Sequence, residues 1–567
     1  MNILGISCHY HDAAACLVRN GEIVAAAQEE RFDRRKNSSA FPVHAINYCV
    51  QAAGITFADI DHIGFYEKPF LKFSRVLIDH LRAWPHSLGH FLKTMPHWLE
   101  DRLLLPLTLE KDLGYQGKVF FIKHHLSHAA SAFLVSPFDE AAILTSDAVG
   151  EWTTMAYGYG RGSNIKISKE ISYPHSLGLV YTAITTYLGF AAHEGEGTVM
   201  ALAGCGKPTY LKALKDIVKV SADGSFAVDQ RFFGFNHGGR MYSRRFVKMF
   251  GPDRKPEERI EPRHCDIAAS VQKLTEEVLL AVARQVRQDT GMDRLCLAGG
   301  LFLNCVANTK ILEAGLFKEV FIQPAAGDAG GSLGVAAYID RCVLKNPKHS
   351  SMSHAYLGPS FSEEQIHRIL LNHDAAFEVY EDEALASFVA KQIAENKVVG
   401  WFQGHMEFGP RALGNRSILG NPCHPGMKEI LNDKVKKREP FRPYAPVVLQ
   451  ERAREFFDLE CLSPFMLLAP QVRDEKKSLI PGIVHVDGSA RVQTVGRDTN
   501  PKLWQLIKAF EAITGVPVII NTSFNLRGEP VAGSPEDALR CFFESDMDLL
   551  VLGNHVVAKK RSQALTA

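Results

Sequence analysis

Apolar and polar residues alternate in blocks from the first residue of the chain. NILGISCHYHDAAACLVRNGEIVAAAQEE sets an apolar run, a polar turn, a second apolar run and a glycine turn in series. That order predicts a β-hairpin: a strand over Asn2–Ser7, a loop holding His9, His11 and Asp12, a strand over Ala14–Val18, and a turn at Asn20-Gly21. From residue 141, AAILTSDAVGEWTTMAYGYGRGSNIKI repeats the pattern, which suggests two related α/β halves facing one cleft. Helical periodicity follows each hairpin, in HAINYCVQAAG and in DIAASVQKLTEEVLLAVARQVRQ. LCLAGGLFLNCVANTK reads strand, glycine turn, helix start. FIQPAAGDAGGSLGVAAYID reads the same, with its strand over Val320–Gln323.

The periodicity lapses near 343–360, LKNPKHSSMSHAYLGPSF, a polar stretch that reads as a linker. Beyond it the chain resumes with helix EDEALASFVAKQIAENK and strand VVGWFQG. Further strands are predicted near VVLQ, PFMLLAP, VPVIINTS and LLVLG. The expected fold class is α/β throughout, with residues 1–345 as one domain, 346–360 as linker and 361–567 as a second domain.

Composition narrows the classes. Hydrophobic residues at 46% and charged residues at 22% exclude a disordered or fibrous chain. Lys+Arg 64 against Asp+Glu 63 gives a net charge of +1, which supplies no global field for nucleic acid or an anionic membrane. No apolar run approaches the roughly 20 residues of a membrane helix, and the N-terminus lacks a signal-peptide pattern. Eleven cysteines without a C-x-x-C pair read as reduced thiols. A cytoplasmic enzyme with no nucleic-acid or membrane partner is the expectation.

Candidate chemistry comes next. His124 and His128 are four apart in HHLSHA and share one helix face, so two imidazole nitrogens could reach one metal. A helix that merely carries three histidines is the alternative. Asp147 and Asp328 stand at strand ends, and two His with two Asp would suit Fe(II), Mn(II) or Zn(II). The turns around Gly299-Gly300 and Gly327–Ser332 admit a close ligand or tight helix packing equally well. Asn304 and Asn308 could meet a ribose or base, or act as capping and surface residues. In the second domain, Gly409–Ser417 precedes Lys434, Lys436, Lys437, Arg438 and Arg442, with Arg491 in HVDGSARVQT and Asn521, Ser523 and Asn525 in NTSFN. A solvated basic face is the default for such a run. Arg411 and Arg442, set among Pro, Gly and aromatics with few acids, point instead to an anion pocket.

Nine motifs occur in order: HDAAACLV, EERF, HHLSHA, AGGLFLN, GDAGGSLG, GPRALGNRS, RPYAP, DGSARVQTV and NTSFN. Together they resemble the O-carbamoyltransferase family of antibiotic and nodulation-factor biosynthesis, typified by the tobramycin carbamoyltransferase, over residues 2 to 558. The resemblance implies an N-terminal duplicated actin-like domain similar to the tRNA threonylcarbamoyl transferase, and a C-terminal YrdC-like domain. It implies a two-step reaction: carbamoyl phosphate and ATP, with Mg(2+) as its companion, give carbamoyl-adenylate, and the carbamoyl group then passes to a hydroxyl of a small-molecule acceptor. Carried over residue by residue, metal ligands for Fe(2+) or another divalent ion fall on His124, His128, Asp147 and Asp328. A histidine placed as general base falls on His11. Nucleotide- and anion-binding positions fall on Lys36, Arg411, Lys436, Arg442, Arg491, Asn521 and Ser523, and Asn304 is grouped with them. The family's Gly-Lys-x-Met-Gly-Leu-Ala stretch reads here Gly197-Thr198-Val199-Met200-Ala201-Leu202-Ala203, so its lysine is absent. The competing expectations are an actin-like ATP-dependent kinase or ATPase and a non-catalytic nucleotide sensor.

Overall fold

A computed structural model describes residues 1–85, 87–235, 240–348 and 350–559, without the side chains of residues 100 and 101. The chain divides into two compact units. One comprises residues 1–29 and 37–352, the other residues 30–36 and 353–567.

The first unit is built on two five-stranded sheets with one plan. The first runs β3-β2-β1-β4-β5, from β1 (Asn2–Ser7), β2 (Ala14–Arg19), β3 (Glu22–Gln28), β4 (His62–Phe65) and β5 (Val119–Phe121). The second takes β6 (Glu140–Ser146), β7 (Thr153–Arg161) and β8 (Asn164–Ser172). After a small hairpin of β9 (Val218–Val220) and β10 (Phe226–Val228), it adds β11 (Arg294–Ala298) and β12 (Glu319–Ile322) in the order β12-β11-β6-β7-β8. In both sheets the hairpin pairs antiparallel and two further strands add parallel on its other side. The repeated hairpins anticipated in the sequence are therefore halves of a duplicated, actin-like architecture. Each hairpin extends to a third strand.

Glycines set the closest approaches. The helix Ala329–Tyr338 is buried all round, and a Cβ on Gly334 would stand 1.9 Å from the Ser127 carbonyl oxygen. A Cβ on Gly5 would stand 1.9 Å from the Ser332 carbonyl oxygen. Gly331 and Gly334 of GDAGGSLG thus serve helix packing, and that packing sets Asp328, the residue before the helix, beside the helix His124–Phe133.

The second unit holds one eight-stranded mixed sheet, in the order β13-β20-β19-β14-β15-β18-β16-β17. Its strands are β13 (Phe377–Val379), β14 (Val399–Phe402), β15 (Arg416–Gly420), β16 (Ala445–Leu449), β17 (Gln493–Val495), β18 (Val518–Ser523), β19 (Leu549–Leu552) and β20 (His555–Ala558).

Three expectations are corrected. PFMLLAP forms no strand: prolines bracket it, Met466 has φ +55°, and only Leu468 bridges to Val492. The stretch 346–360 is not a free tether. Met352 N–H donates to Val135 O in the first unit, and residues 355–359 are hydrogen-bonded along 406–408 in the second. Residues 30–36, expected in the first domain, belong to the second unit: Arg31 donates to Gly409 O at 2.8 Å, and Arg34 to Val531 O and Pro530 O at 2.7 and 2.9 Å.

Candidate functional site

In the first unit the HHLSHA segment is the start of the helix His124–Phe133, and the i, i+4 spacing turns both imidazoles the same way. His124 Nε2 and His128 Nε2 are 3.1 Å apart, and each is 3.1 Å from Asp147 Oδ2. Asp328 Oδ1 lies 3.6 Å from both. One ligand atom from each of the four residues falls within 4.8 Å of every other. Asp328 is 1% exposed, yet neither carboxylate oxygen has a hydrogen-bond partner. An orphaned buried carboxylate facing two nitrogens and a second carboxylate is costly without a cation at their centre. The donor set fits a divalent transition metal. Burial opposes charge throughout, but the two histidines hold Asp147 well below the usual carboxylate range, and Asp147 and Asp328 raise His128 to about 9.

Glu151, which the sequence reading passed over, fixes this nest. Its carboxylate accepts the backbone N–H of His124 at 3.0 Å and of Lys68 at 2.8 Å, placing negative charge at the start of the histidine helix. Its position in the DAVGEW loop was the available signal.

His11 lies in the first hairpin's loop, where His9 and Asp12 adopt left-handed φ of +72° and +54°. His11 Nδ1 is 2.9 Å from Asp12 Oδ2. Burial alone would lower its pKa; the charge of Asp328, the bond to Asp12 and Asp147 outweigh it and raise His11 to about 9. Tyr10 and His193, both absent from the sequence reading, complete an aromatic group, with ring centroids 4.5 and 4.7 Å from that of His11.

In the second unit the basic run separates. Lys434 pairs with Asp548 and Lys437 turns to Asp433 O. Lys436 is buried, and its Nζ donates to Ser523 O at 2.5 Å, Asn525 O at 3.0 Å and Asn525 Oδ1 at 2.9 Å, all neutral oxygens. Burial and the charges of Arg438, Arg442 and Lys36 lower it to about 7. Burial, Arg438 and Arg491 bring Arg442 down to about 10. Lys36 and Arg442 are therefore within electrostatic reach of Lys436, and Arg491 within reach of Arg442, with Ser523 hydrogen-bonded to Lys436. Asn521, on β18 beside Ser523, donates to Gln493 Oε1 at 2.7 Å.

Arg411 sits on a loop shaped by Glu407, whose Oε1 accepts the N–H of Leu413, Asn415 and Arg416. Arg416 of the same motif is structural: fully buried, it stacks 3.6 Å from the Phe402 ring centroid and donates to Gln403 O and Pro359 O. Asn304 is engaged too. It caps the helix Cys305–Glu313 by accepting the Ala307 N–H at 3.0 Å, and it exchanges amide hydrogen bonds with Gln272. Asn308 donates to Phe302 O. Of the open alternatives, the structure gives Asn304 the capping role. Thr198, where the family lysine was expected, is buried on the helix Glu196–Ala203.

Comparison with known proteins gives this geometry its family. A model described as the carbamoyltransferase N-terminus matches residues 2–337, and one described as the carbamoyltransferase C-terminus matches residues 390–559. The chain belongs to the carbamoyltransferase family. An uncharacterized protein of Synechocystis is 46% identical to this carbamoyltransferase, over 98% of this chain and 97% of that one. Nodulation protein NolNO of Sinorhizobium fredii is 37% identical over 97% of this chain and 79% of its own. Among solved structures, HypF of T. kodakarensis aligns with 61% of the carbamoyltransferase and 48% of its own chain at 15% identity, with a TM-score of 0.31. No helix among the described residues is long and apolar enough to cross a membrane.

Proposed function

We propose that this carbamoyltransferase is an ATP-dependent O-carbamoyltransferase that works through carbamoyl-adenylate. The observation that carries this reading is the cation group of the second unit, where the charges of Lys36, Arg438 and Arg442 act on Lys436, that of Arg491 acts on Arg442, and the Lys436 ammonium donates to neutral oxygens among the described residues. Cations gathered in this way fit a triphosphate and an acyl phosphate.

In the first step, water releases phosphate from carbamoyl phosphate, and a carbamate oxygen bonds to the α-phosphorus of ATP as the bond to pyrophosphate breaks. Arg442, Arg491 and Lys436 stabilise the charge that gathers on pyrophosphate. In the second step an acceptor hydroxyl attacks the carbamoyl carbon and the bond to AMP breaks. His124, His128, Asp147 and Asp328 would hold a divalent ion, which supplies Lewis-acid stabilisation of phosphate charge when bound. His11 stands on the acceptor side, where a positioned acid–base group contributes about 10²–10⁴-fold. Thr198 stands where the resemblance implies a lysine, so this chain carries one positive charge fewer at that position.

The test is product analysis. Purified protein with carbamoyl phosphate, ATP and a panel of small alcohols, sugars included, should release AMP and pyrophosphate and yield a carbamate ester by mass spectrometry. Release of ADP alone defeats the reading.

A further inference from the structure

His11 has a neighbour that its proposed role does not use. The ring of His193 lies 4.7 Å from that of His11, centroid to centroid, tilted by 38°, and 5.7 Å from that of Tyr10. Lys72 caps the Tyr10 ring at 5.0 Å and is itself ion-paired with Glu67. His193 has a left-handed φ of +64°, a conformation that only a few per cent of non-glycine residues adopt, with Asn, Asp and His enriched among them. Its backbone N–H is held by Glu196 Oε1 at 3.1 Å, and Glu196 also accepts from Thr182. Strain of this kind persists where the surroundings fix it, and it collects at working sites.

The two imidazoles differ in what they touch. His11 has a carboxylate, Asp12 Oδ2, against its Nδ1, whereas the His193 ring makes no hydrogen bond among the described residues and stays in contact with solvent. Two imidazoles this close resist double protonation, and Asp12 draws the single proton to His11. The charges around them agree. Desolvation and the His11 charge lower His193, against the pull of Glu196, Asp12 and Asp328. His11 then presents a proton and His193 a lone pair.

Resting on the transfer reading above, we propose that His193 is the base that takes the acceptor hydroxyl's proton, while His11 stays protonated and donates to the carbamoyl group. As the acceptor oxygen bonds to the carbamoyl carbon, its proton passes to a His193 ring nitrogen. The carbon–oxygen bond to the leaving phosphate breaks with its electron pair, and His193 returns the proton to solvent.

His193→Gly tests this, because glycine takes the positive φ without strain and leaves an imidazole-sized gap. Carbamoyl transfer should fall about 10²–10⁴-fold. Added imidazoles should restore at least tenfold of it, with a rate that rises with the basicity of the imidazole. His193→Asn, which also tolerates this φ, should show the same loss without rescue, and its melting temperature reports whether it folds. A glycine variant that keeps more than half of the wild-type rate overturns the assignment. So does rescue indifferent to the basicity of the added imidazole, which would mean that the ring only fills space. If the wild type forms no carbamate ester, the transfer reading fails and takes this assignment with it; transfer by the wild type with an undiminished His193→Gly variant defeats this assignment alone.

Discussion

The two sites are incomplete in opposite senses. In the first unit, two imidazole nitrogens and two carboxylates meet within 4.8 Å, and both oxygens of Asp328 are buried without a hydrogen bond, 3.6 Å being the nearest approach of Oδ1 to the two imidazoles, so the nest lacks positive charge. In the second unit, burial and the charges of Arg438, Arg442 and Lys36 bring Lys436 down to about 7, so that pocket lacks negative charge. Neither deficit stabilises a fold, since desolvated charge without compensation costs several kcal/mol. Each is best understood as the imprint of a ligand, a cation for the first and a phosphate-bearing anion for the second. Under the proposed function, the difference gives separate halves of the chemistry to separate units, and each half can be broken alone.

The largest effect is expected from Asp328→Asn. It keeps the shape of the side chain but removes the charge of the carboxylate that has no other partner. Affinity for a divalent transition metal should drop by at least about 100-fold, read by equilibrium dialysis. Carbamoyl transfer should fall about 10³-fold, which several kcal/mol of lost charge stabilisation implies. If the variant binds metal as the wild type does, the nest is not a metal site. Lys436→Met is the mirror experiment. ATP–pyrophosphate exchange should fall about 10²–10³-fold, the loss of one preorganised donor, while metal uptake stays at the wild-type level. Loss of metal binding in this variant would break the division.

Acidity sharpens the contrast. The folded pKa of Lys436 lies below that of an ordinary lysine, so between about pH 7 and 10 the free protein has given up a proton that an anion complex retains. Anion binding should therefore be strongest below pH 7. It should weaken by up to about tenfold per pH unit above it, with close to one proton taken up at pH 8. Calorimetry of the binding of sulfate, an anion that does not titrate in this range, in buffers of different ionisation enthalpy measures that proton directly. Binding unchanged from pH 6 to 9 would mean that Lys436 does not face the anion.

The sequence was most informative where one element supplies the chemistry. HHLSHA places two nitrogens by helical spacing alone and Asp147 follows from the end of β6, whereas Asp328 stands six residues beyond β12, at the start of the helix Ala329–Tyr338. The duplicated hairpins were visible for the same reason, since period-two alternation is local. Contributions that depend on tertiary placement were hidden. Arg31 and Arg34 bond to carbonyls far along the chain, so no local pattern could assign residues 30–36 to the second unit. Glu151 and His193 act through backbone and ring contacts with distant residues, which the spacing of residue types does not encode. Within GPRALGNRS the two arginines look alike in sequence, yet Arg416 is consumed by backbone carbonyls while Arg411 sits on the loop that Glu407 shapes. PFMLLAP looked apolar enough for a strand until its prolines and the left-handed Met466 decided otherwise.

The smallest expected effect distinguishes a scaffold residue from a ligand residue inside the first unit. Asn304 looks like a nucleotide contact from the sequence, but its Oδ1 accepts the Ala307 N–H and its Nδ2 donates to Gln272 Oε1 at 2.8 Å. An N-cap asparagine changed to alanine costs about 1 kcal/mol. Asn304→Ala should therefore lower the melting temperature by a few degrees. It should leave the KM for ATP and for carbamoyl phosphate unchanged, because the amide oxygen is committed to the helix end and to Gln272 Nε2, and one amide hydrogen to Gln272 Oε1. Asn304→Asp keeps the capping oxygen and the acceptance from Gln272 Nε2 and should recover most of that stability, although it gives up the donation to Gln272 Oε1. A rise in the KM for ATP in the alanine variant, without a loss of stability, would reverse the assignment and move Asn304 from the scaffold to the site.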